Sequence, residues 1–234
     1  MIRNMRDLGG LKAAGGRTVR PLRLIRSANL AEAAEEDLEG IGTVIDLRTP
    51  REREEAPDRL YGRCYLPLPL FEELKAGVSH EDGAENFGIP EMAGIYRALV
   101  NECAGAFRRV LTGIMENDFS RGAVLWHCTE GKDRCGITTA LVLEMLGADR
   151  TAIMEDYLKT NVISLSRAAA IREQLAPARG EKIAKSVYRA YIADESYLEA
   201  AWAAMGRGYI RDRLGIRENE IRDFRNAVLE GTPE

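Results

Sequence analysis

Cys128 and Arg134 are the residues of this chain whose types and spacing are best suited to chemistry. Arg134 stands six positions after Cys128, and His127 directly precedes the cysteine. A cysteine thiolate becomes an effective nucleophile when nearby positive charge lowers its pKa. An arginine presents a planar fork of N–H donors that matches the oxygens of a phosphate. The pattern therefore predicts transfer of a phosphoryl group from an ester to sulfur and then to water.

The flanking sequence predicts the elements that position these residues. Residues 122–126 form a short apolar run typical of a buried strand, and residues 137–146 form an apolar, helix-favouring segment that ends before Gly147. Residues 127–136, the signature loop, are therefore expected to connect a strand to a helix. Unpaired backbone N–H groups and the positive end of the helix dipole converge at such a place and bind anions. We therefore expect the residues after the cysteine to hold the phosphate oxygens, namely Thr129, Glu130, Gly131, Lys132, Asp133 and Arg134.

The signature loop, with His-Cys followed by five residues and arginine, resembles that of the cysteine-dependent protein phosphatases. Its Gly-Lys-Asp-Arg core at 131–134 is similar to the bacterial and fungal tyrosine phosphatase family, and so are residues 4–10 (Asn-Met-Arg-Asp-Leu-Gly-Gly) and 45–48 (Ile-Asp-Leu-Arg). The resemblance implies hydrolysis of phosphotyrosine, with phosphoserine, phosphothreonine or phosphoinositide as further substrates, through a cysteinyl-phosphate intermediate. The implied partners are a phosphorylated protein or phosphoinositide, with inorganic phosphate binding at the loop.

Several supporting residues have two interpretations at this stage. His127 either hydrogen-bonds the loop backbone and steadies the thiolate, or is an ordinary core histidine. Lys132 either adds positive charge toward multiply phosphorylated substrates or faces solvent. Asp46 and Arg48, at the end of a predicted strand, either share the rim with Cys128 or pair with each other.

Two further polar groups are interpreted only from local pattern. Arg26 is expected either at the substrate mouth or in a surface ion pair. The charged run between Pro50 and Pro57 is expected to be a solvated loop or helix turn.

The leaving oxygen needs a proton, and the resemblance assigns the general acid to Asp133. The flanking Lys132 and Arg134 favour the ionised carboxylate and so oppose this assignment. Asp46 and the pair Glu81 and Asp82 are the other candidates. We predict Asp133.

The loop departs from the family pattern at two positions. Cys135 replaces the hydroxyl residue that helps the thiolate to leave, so its sulfur is expected near Cys128. Peroxide could then link the two sulfurs, or Cys135 could serve only as a weak hydrogen-bond donor. Glu130 stands where a small residue is more typical, and its charge is expected to discourage highly anionic substrates.

Length and composition indicate the fold class and exclude some partners. We expect residues 1–234 to form a single phosphatase domain of the α/β class, with a cysteine-phosphatase-like central sheet flanked by helices and a helical C-terminal half. Residues 71–90 are expected to form a lid or specificity loop. The balance of 33 basic and 37 acidic residues argues against nucleic-acid binding.

Cysteine usage and the absence of a recognisable targeting pattern bear on cofactors and on cellular location. The chain has four cysteines and two histidines without metal-ligand spacing, so neither a metal nor another cofactor is expected. No signal peptide or membrane span is expected, and a reactive thiol favours the cytoplasm, although leaderless secretion would leave the same pattern. The alternative functions are an inositol-polyphosphate phosphatase and a phosphate-binding pseudophosphatase.

Overall fold

The computed structural model describes residues 1–71 and 91–231. Its strands form a five-stranded sheet and a separate two-stranded ribbon. In chain order they are β1 (Arg6–Asp7), β2 (Thr18–Val19), β3 (Leu24–Ser27), β4 (Ile41–Asp46), β5 (Cys64–Pro67), β6 (Ala123–His127) and β7 (Leu229–Glu230). The large sheet has the order β1-β3-β6-β4-β5, and β2 pairs with β7 in the ribbon.

Helices make up most of the described chain after β6, which confirms the predicted helical C-terminal half. In chain order the α-helices are α1 (Pro50–Glu55), α2 (Met92–Glu102), α3 (Ala104–Met115), α4 (Asp133–Leu146), α5 (Arg150–Leu158), α6 (Asn161–Arg179), α7 (Glu181–Tyr191), α8 (Glu195–Met205) and α9 (Glu218–Val228). Short 3₁₀ turns cover Ala14–Gly16 and Glu35–Leu38, and a π-helical turn covers Tyr209–Arg213.

The strand register brings three carboxyl ends to one edge of the sheet. β6 lies parallel to both β3 and β4, and His127 at its end pairs with Ser27 on one side and Asp46 on the other. β1 runs antiparallel to β3 at one border, and β5 runs parallel to β4 at the other. In parallel α/β sheets, ligands bind beyond the carboxyl ends of the strands. The signature loop leaves the sheet at this edge.

The two faces of β6 enter different apolar clusters because strand side chains alternate in direction. Val124 and Trp126 pack in the larger core with α2, α3, α4, α8 and α9. Ala123 and Leu125 face a smaller cluster that also contains Ile2 and Leu38. Both faces of the central strand are therefore covered, which fits its continuous apolar sequence and confirms a central sheet flanked by helices.

One boundary differs from the sequence expectation. α4 begins at Asp133, inside the signature loop, rather than at 137. The predicted lid, with Glu81 and Asp82, lies outside the described residues except for Phe71. Within residues 1–71 and 91–231, no helix has both the length and the apolar character that crossing a bilayer demands.

Candidate active site

Gly131 allows the signature loop to close against the sheet. It has a φ of +66°, and a Cβ on it would lie 2.5 Å from the carbonyl oxygen of Ser27. A residue with a side chain would therefore be strained in conformation and blocked by backbone. The carbonyl of Gly131 accepts hydrogen bonds from Asn4 Nδ2 at 2.9 Å and Arg26 Nη2 at 2.8 Å. The loop is thus held from behind by the N-terminal segment and β3.

Arg26 lies beneath the loop and not in either position that its sequence suggested. Its side chain is fully buried, with Nη1 2.9 Å from Asp156 on α5. Asp156 also pairs with Arg6 at 2.8 Å. A buried arginine is tolerated only when carboxylates and carbonyls bind its guanidinium, as Asp156 and Gly131 bind Arg26. Arg26 therefore supports the loop and contacts no substrate directly.

Cys128 lies at the base of the loop with 3% of its surface exposed. Burial alone would raise the pKa of its thiol, but the neighbouring Cys135 side chain and the Arg134 guanidinium outweigh burial and lower this pKa to about 6. The lowered pKa makes the thiolate the main form at neutral pH. The local environment is therefore that of a reactive cysteine.

Cys135 occupies the first turn of α4 and is completely buried. Its sulfur lies 3.6 Å from the carbonyl oxygen of Ser27 and 3.9 Å from that of Trp126. Burial, followed by the interaction with Cys128, raises the pKa of the Cys135 thiol well above its ordinary value. The two neighbouring sulfurs thus differ in charge state, with Cys135 neutral beside an ionised Cys128.

Arg134 is held in place by Glu52. Its Nη1 and Nη2 donate to the two carboxylate oxygens at 2.7 and 2.6 Å, a bidentate pair. Thr129 Oγ1 donates to the same carboxylate at 2.5 Å and accepts from Arg134 Nη2 at 3.1 Å. The ring of Phe71 covers the guanidinium at 5.4 Å from its centroid. Both ends of the signature loop are therefore fixed to one carboxylate.

Sequence reasoning missed Glu52, because it read the 50–57 run as solvated. The structure buries Glu52 in α1, and although burial would raise the pKa of its carboxyl, hydrogen bonds from Arg134 hold that pKa down to about 2. A local signal was present: Thr49 and Glu52 form a capping box with Pro50 at the first helical position. The box shows that Glu52 faces the start of α1, which lies at the sheet edge.

Lys132 occupies neither of its two predicted environments. Its side chain is 2% exposed, and its ammonium donates to the carbonyl oxygen of Ala190 and, at 3.1 Å, to that of Ile192. Asp133 Oδ1 lies 3.3 Å away. Carbonyls near a helix C-terminus attract cations. Lys132 therefore fastens the loop to the end of α7, and its charge is already compensated.

Asp133 begins α4 and interacts with buried tyrosines. The hydroxyl of Tyr96 donates to Asp133 Oδ1 at 2.7 Å, and it lies 2.7 Å from the hydroxyl of Tyr157. Burial raises the pKa of Tyr96 well above its ordinary value, so this hydroxyl remains a donor. The Asp133 carboxylate is therefore bound by the Tyr96 hydroxyl and lies beside the Lys132 ammonium.

His127, Asp46 and Arg48 form a buried network behind the loop, together with Asp58. Arg48 binds Asp46 through Nε at 3.0 Å and Nη2 at 2.8 Å, and its Nη2 lies 2.7 Å from Asp58. His127 Nε2 lies 3.1 Å from Asp58 Oδ2, and Nδ1 lies 3.4 Å from the carbonyl oxygen of Cys128. Asp46 and Arg48 therefore pair with each other beneath the site and do not reach its rim.

The charges of this network balance one another. Burial would lower the pKa of His127, but Asp46 and Asp58 raise it. Burial would likewise raise the pKa of Asp46, whereas His127 and Arg48 hold it well below the usual range. The histidine and the two carboxylates have the spacing of a metal site. Arg48 binds both carboxylates, so the group forms an ion-pair network in this structure.

The arrangement of loop, thiolate and arginine defines a class of protein. A strand-to-helix loop with a low-pKa cysteine at its base and an arginine at the helix start is typical of the cysteine-dependent phosphatases. The chain belongs to the tyrosine phosphatase family, whose sequence model matches residues 1–230.

Comparison with individual proteins agrees with this membership. A Cupriavidus necator protein named as a tyrosine-protein phosphatase is 33% identical over 94% of this chain and 85% of its own length. The triple specificity protein phosphatase PtpB of Mycobacterium tuberculosis is 28% identical over 97% of this chain and 96% of its own length. The match to a crystal structure of P. aeruginosa TpbA covers 80% of this chain and 91% of that chain, with 18% identity and a TM-score of 0.34.

Proposed function

We propose that this protein is a phosphatase that hydrolyses phosphotyrosine in proteins through a cysteinyl-phosphate intermediate. The observation that carries the proposal is the position of Cys128 at the base of the signature loop, beside an arginine held by a buried carboxylate. The names of the Cupriavidus and Mycobacterium relatives support the activity. The latter is named a triple specificity phosphatase, which supports more than one substrate class, and we propose phosphoserine, phosphothreonine and phosphoinositides as the further substrates.

The proposed first step is in-line attack of the Cys128 thiolate on phosphorus. The S–P bond forms as the bond to the tyrosine oxygen breaks, and the leaving phenolate takes up a proton. Charge on the equatorial oxygens is met by the backbone N–H groups of residues 129–134 and by the positive charge of the Arg134 guanidinium, whose Nη1 and Nη2 are bound to Glu52. In the second step water attacks phosphorus, releasing inorganic phosphate and the thiolate. The Cys135 thiol, as a neighbouring donor, stabilises the sulfur as it leaves.

The reaction also indicates a cellular setting. A thiolate nucleophile such as Cys128 must stay reduced to react, which requires a reducing compartment. This supports a cytoplasmic site of action. We further propose that residues 1–234 form a single phosphatase domain.

A substrate panel tests the function. Purified protein is expected to hydrolyse a phosphotyrosine peptide fastest, followed by a phosphoserine peptide and phosphoinositides, and to leave inositol hexakisphosphate largely intact. Preference for inositol hexakisphosphate would instead indicate an inositol-polyphosphate phosphatase. Phosphate binding without hydrolysis of any substrate, including an activated aryl phosphate, would indicate a pseudophosphatase. The engagement of Asp133 by Tyr96 and Lys132 is the observation that favours this last alternative.

Replacement of Asp133 by asparagine tests the general acid. If Asp133 protonates the leaving group, kcat for phosphoserine peptides should fall about 10²-fold, while kcat for an activated aryl phosphate falls less than about threefold. The basic limb of the pH profile should also flatten. Replacement of Tyr96 by phenylalanine removes a donor that favours the ionised carboxylate and should move this limb to higher pH. Equal losses on both substrates would make Asp133 a structural residue of the loop.

The Cys135 thiol predicts reversible inactivation by peroxide. Hydrogen peroxide oxidises the Cys128 thiolate to a sulfenic acid and is reduced to hydroxide, and condensation with the Cys135 thiol then forms a disulfide and releases water. Dithiothreitol should restore most activity in the wild type and much less in Cys135→Ser, which keeps a donor but lacks the thiol. Mass spectrometry should find the linked peptide in the wild type alone. Equal recovery without a linked peptide would reduce Cys135 to a hydrogen-bond donor.

A further inference from the structure

Two arginines from distant parts of the chain converge on the carboxylate of Glu130. Arg167 Nη1 lies 3.0 and 2.9 Å from its two oxygens, and Arg3 Nη1 lies 3.2 Å from one of them. The side chains of Arg3 and Arg167 are 47% and 42% exposed, and that of Glu130 is 24% exposed. Two cations thus meet one anion at the surface, which leaves a net positive charge.

The position of this group places it within reach of a bound substrate. Glu130 stands two residues after Cys128, so their Cα atoms are at most about 7 Å apart. Residues i and i+2 of an extended peptide point to the same side and are also about 7 Å apart. The side chain two residues away from the reacting phosphotyrosine is therefore the one that we expect to extend toward Arg3 and Arg167.

The surrounding cleft contains no free space for a second phosphate. Besides the two arginines and Glu130 it is lined by Asn4, Lys132, Thr160, Ile163, Ser164 and Tyr191, and it encloses about 40 Å³. That volume accommodates water but not a phosphoryl group. Lys132 contributes no available charge, because its ammonium is bound to carbonyls of the α7 end. A second anion can bind here only by displacing the Glu130 carboxylate.

We propose that Arg3 and Arg167 form a subsite for a second anionic group of a peptide substrate, and that Glu130 occupies this subsite and selects against doubly phosphorylated peptides. The proposal rests on the proposed phosphotyrosine phosphatase function. A phosphate and the Glu130 carboxylate compete for the same guanidinium donors, which suit both groups. While the carboxylate is in place it also repels the incoming phosphate. Removal of its charge leaves two unopposed cations.

The experiment measures selectivity between two peptides. Both contain the same phosphotyrosine, and one also carries phosphoserine two residues away. For each peptide, kcat/KM is measured for removal of phosphate from the phosphotyrosine. The value for the doubly phosphorylated peptide divided by that for the singly phosphorylated peptide is the selectivity ratio. This ratio is expected to be about tenfold higher in Glu130→Gln than in the wild type. Glu199→Gln makes the same charge change on the exposed face of α8 and should leave the ratio unchanged. High salt should reduce the effect of Glu130→Gln, because the arginines are solvent-exposed.

Removal of the arginines identifies the subsite. Adding Arg3→Gln and Arg167→Gln to Glu130→Gln should return the ratio to the wild-type value or below. An unchanged ratio in Glu130→Gln, or a rise that survives loss of both arginines, would overturn the proposal. If Glu130→Gln does not fold, Arg167→Gln alone is decisive, since it should lower the ratio several-fold and an unchanged ratio would contradict the subsite. Failure of the wild type to hydrolyse either peptide would contradict the proposed function instead.

Discussion

Replacement of Cys128 by serine is expected to abolish turnover and to preserve phosphate binding. A serine hydroxyl is not ionised near neutral pH, so kcat for an aryl phosphate should fall by at least about 10³-fold. The backbone N–H groups of the signature loop and the Arg134 fork remain in place. Titration calorimetry with inorganic phosphate should therefore give a dissociation constant within about threefold of the wild type, or a lower one, since the thiolate no longer repels the anion.

Cys64 provides the matched control for this substitution. It lies exposed on β5, and Cys64→Ser changes the same atom far from the signature loop. Its activity should equal that of the wild type.

In the wild type, kcat/KM should also fall as the pH drops below about 6, because the thiolate of Cys128 becomes protonated. Substantial turnover by Cys128→Ser would contradict a sulfur nucleophile.

Replacement of Glu52 by glutamine should have the second-largest effect, although Glu52 forms no bond in the reaction. The substitution removes the charge that holds the Arg134 fork and the Thr129 hydroxyl. A misplaced guanidinium no longer meets the transition-state oxygens, so kcat/KM should fall about 10²-fold. It also leaves Arg134 buried without its ion-pair partner, which should destabilise the fold by about 3 kcal/mol or more.

Separate measurements distinguish positioning from a loss of structure. Kinetics are compared at a temperature where circular dichroism shows Glu52→Gln to be folded. Glu52→Asp keeps the charge and should recover part of kcat, and Glu54→Gln, exposed on the same helix, should match the wild type. A Glu52→Gln variant that is folded and fully active would show that Arg134 needs no carboxylate partner.

The local parts of the site could be predicted because they are continuous in sequence. The sequence predicted a strand from the apolar run before His127, an anion site from the loop, and a helix after it. In the structure, the register of β6 places these elements at the sheet edge. The same reasoning predicted an α/β fold with a helical C-terminal half. Hydrophobic periodicity in a contiguous segment is set by short-range geometry, so it can be recognised in the sequence without knowledge of the fold.

The contacts that complete the site are long-range and left no such pattern. Glu52 lies 82 residues before Arg134, and Tyr96 lies 37 residues before Asp133. Lys132 was expected to face substrate or solvent, but its partners are carbonyls 58 and 60 residues further on, at the end of α7. A carbonyl acceptor carries no side-chain identity, so nothing in the sequence marked it. The contribution of polar residues near a predicted sheet edge to the site is therefore underestimated when it is judged from local charge alone.

The central claim is that phosphate passes through Cys128, and trapping the intermediate tests it most directly. Protein mixed with an aryl phosphate is quenched within the first turnover and digested for mass spectrometry. One added phosphoryl group is expected on the peptide that contains Cys128. This group should be transient in the wild type and absent from Cys128→Ser. Turnover with no phosphorylated cysteine, or with the phosphoryl group on another residue, would contradict it.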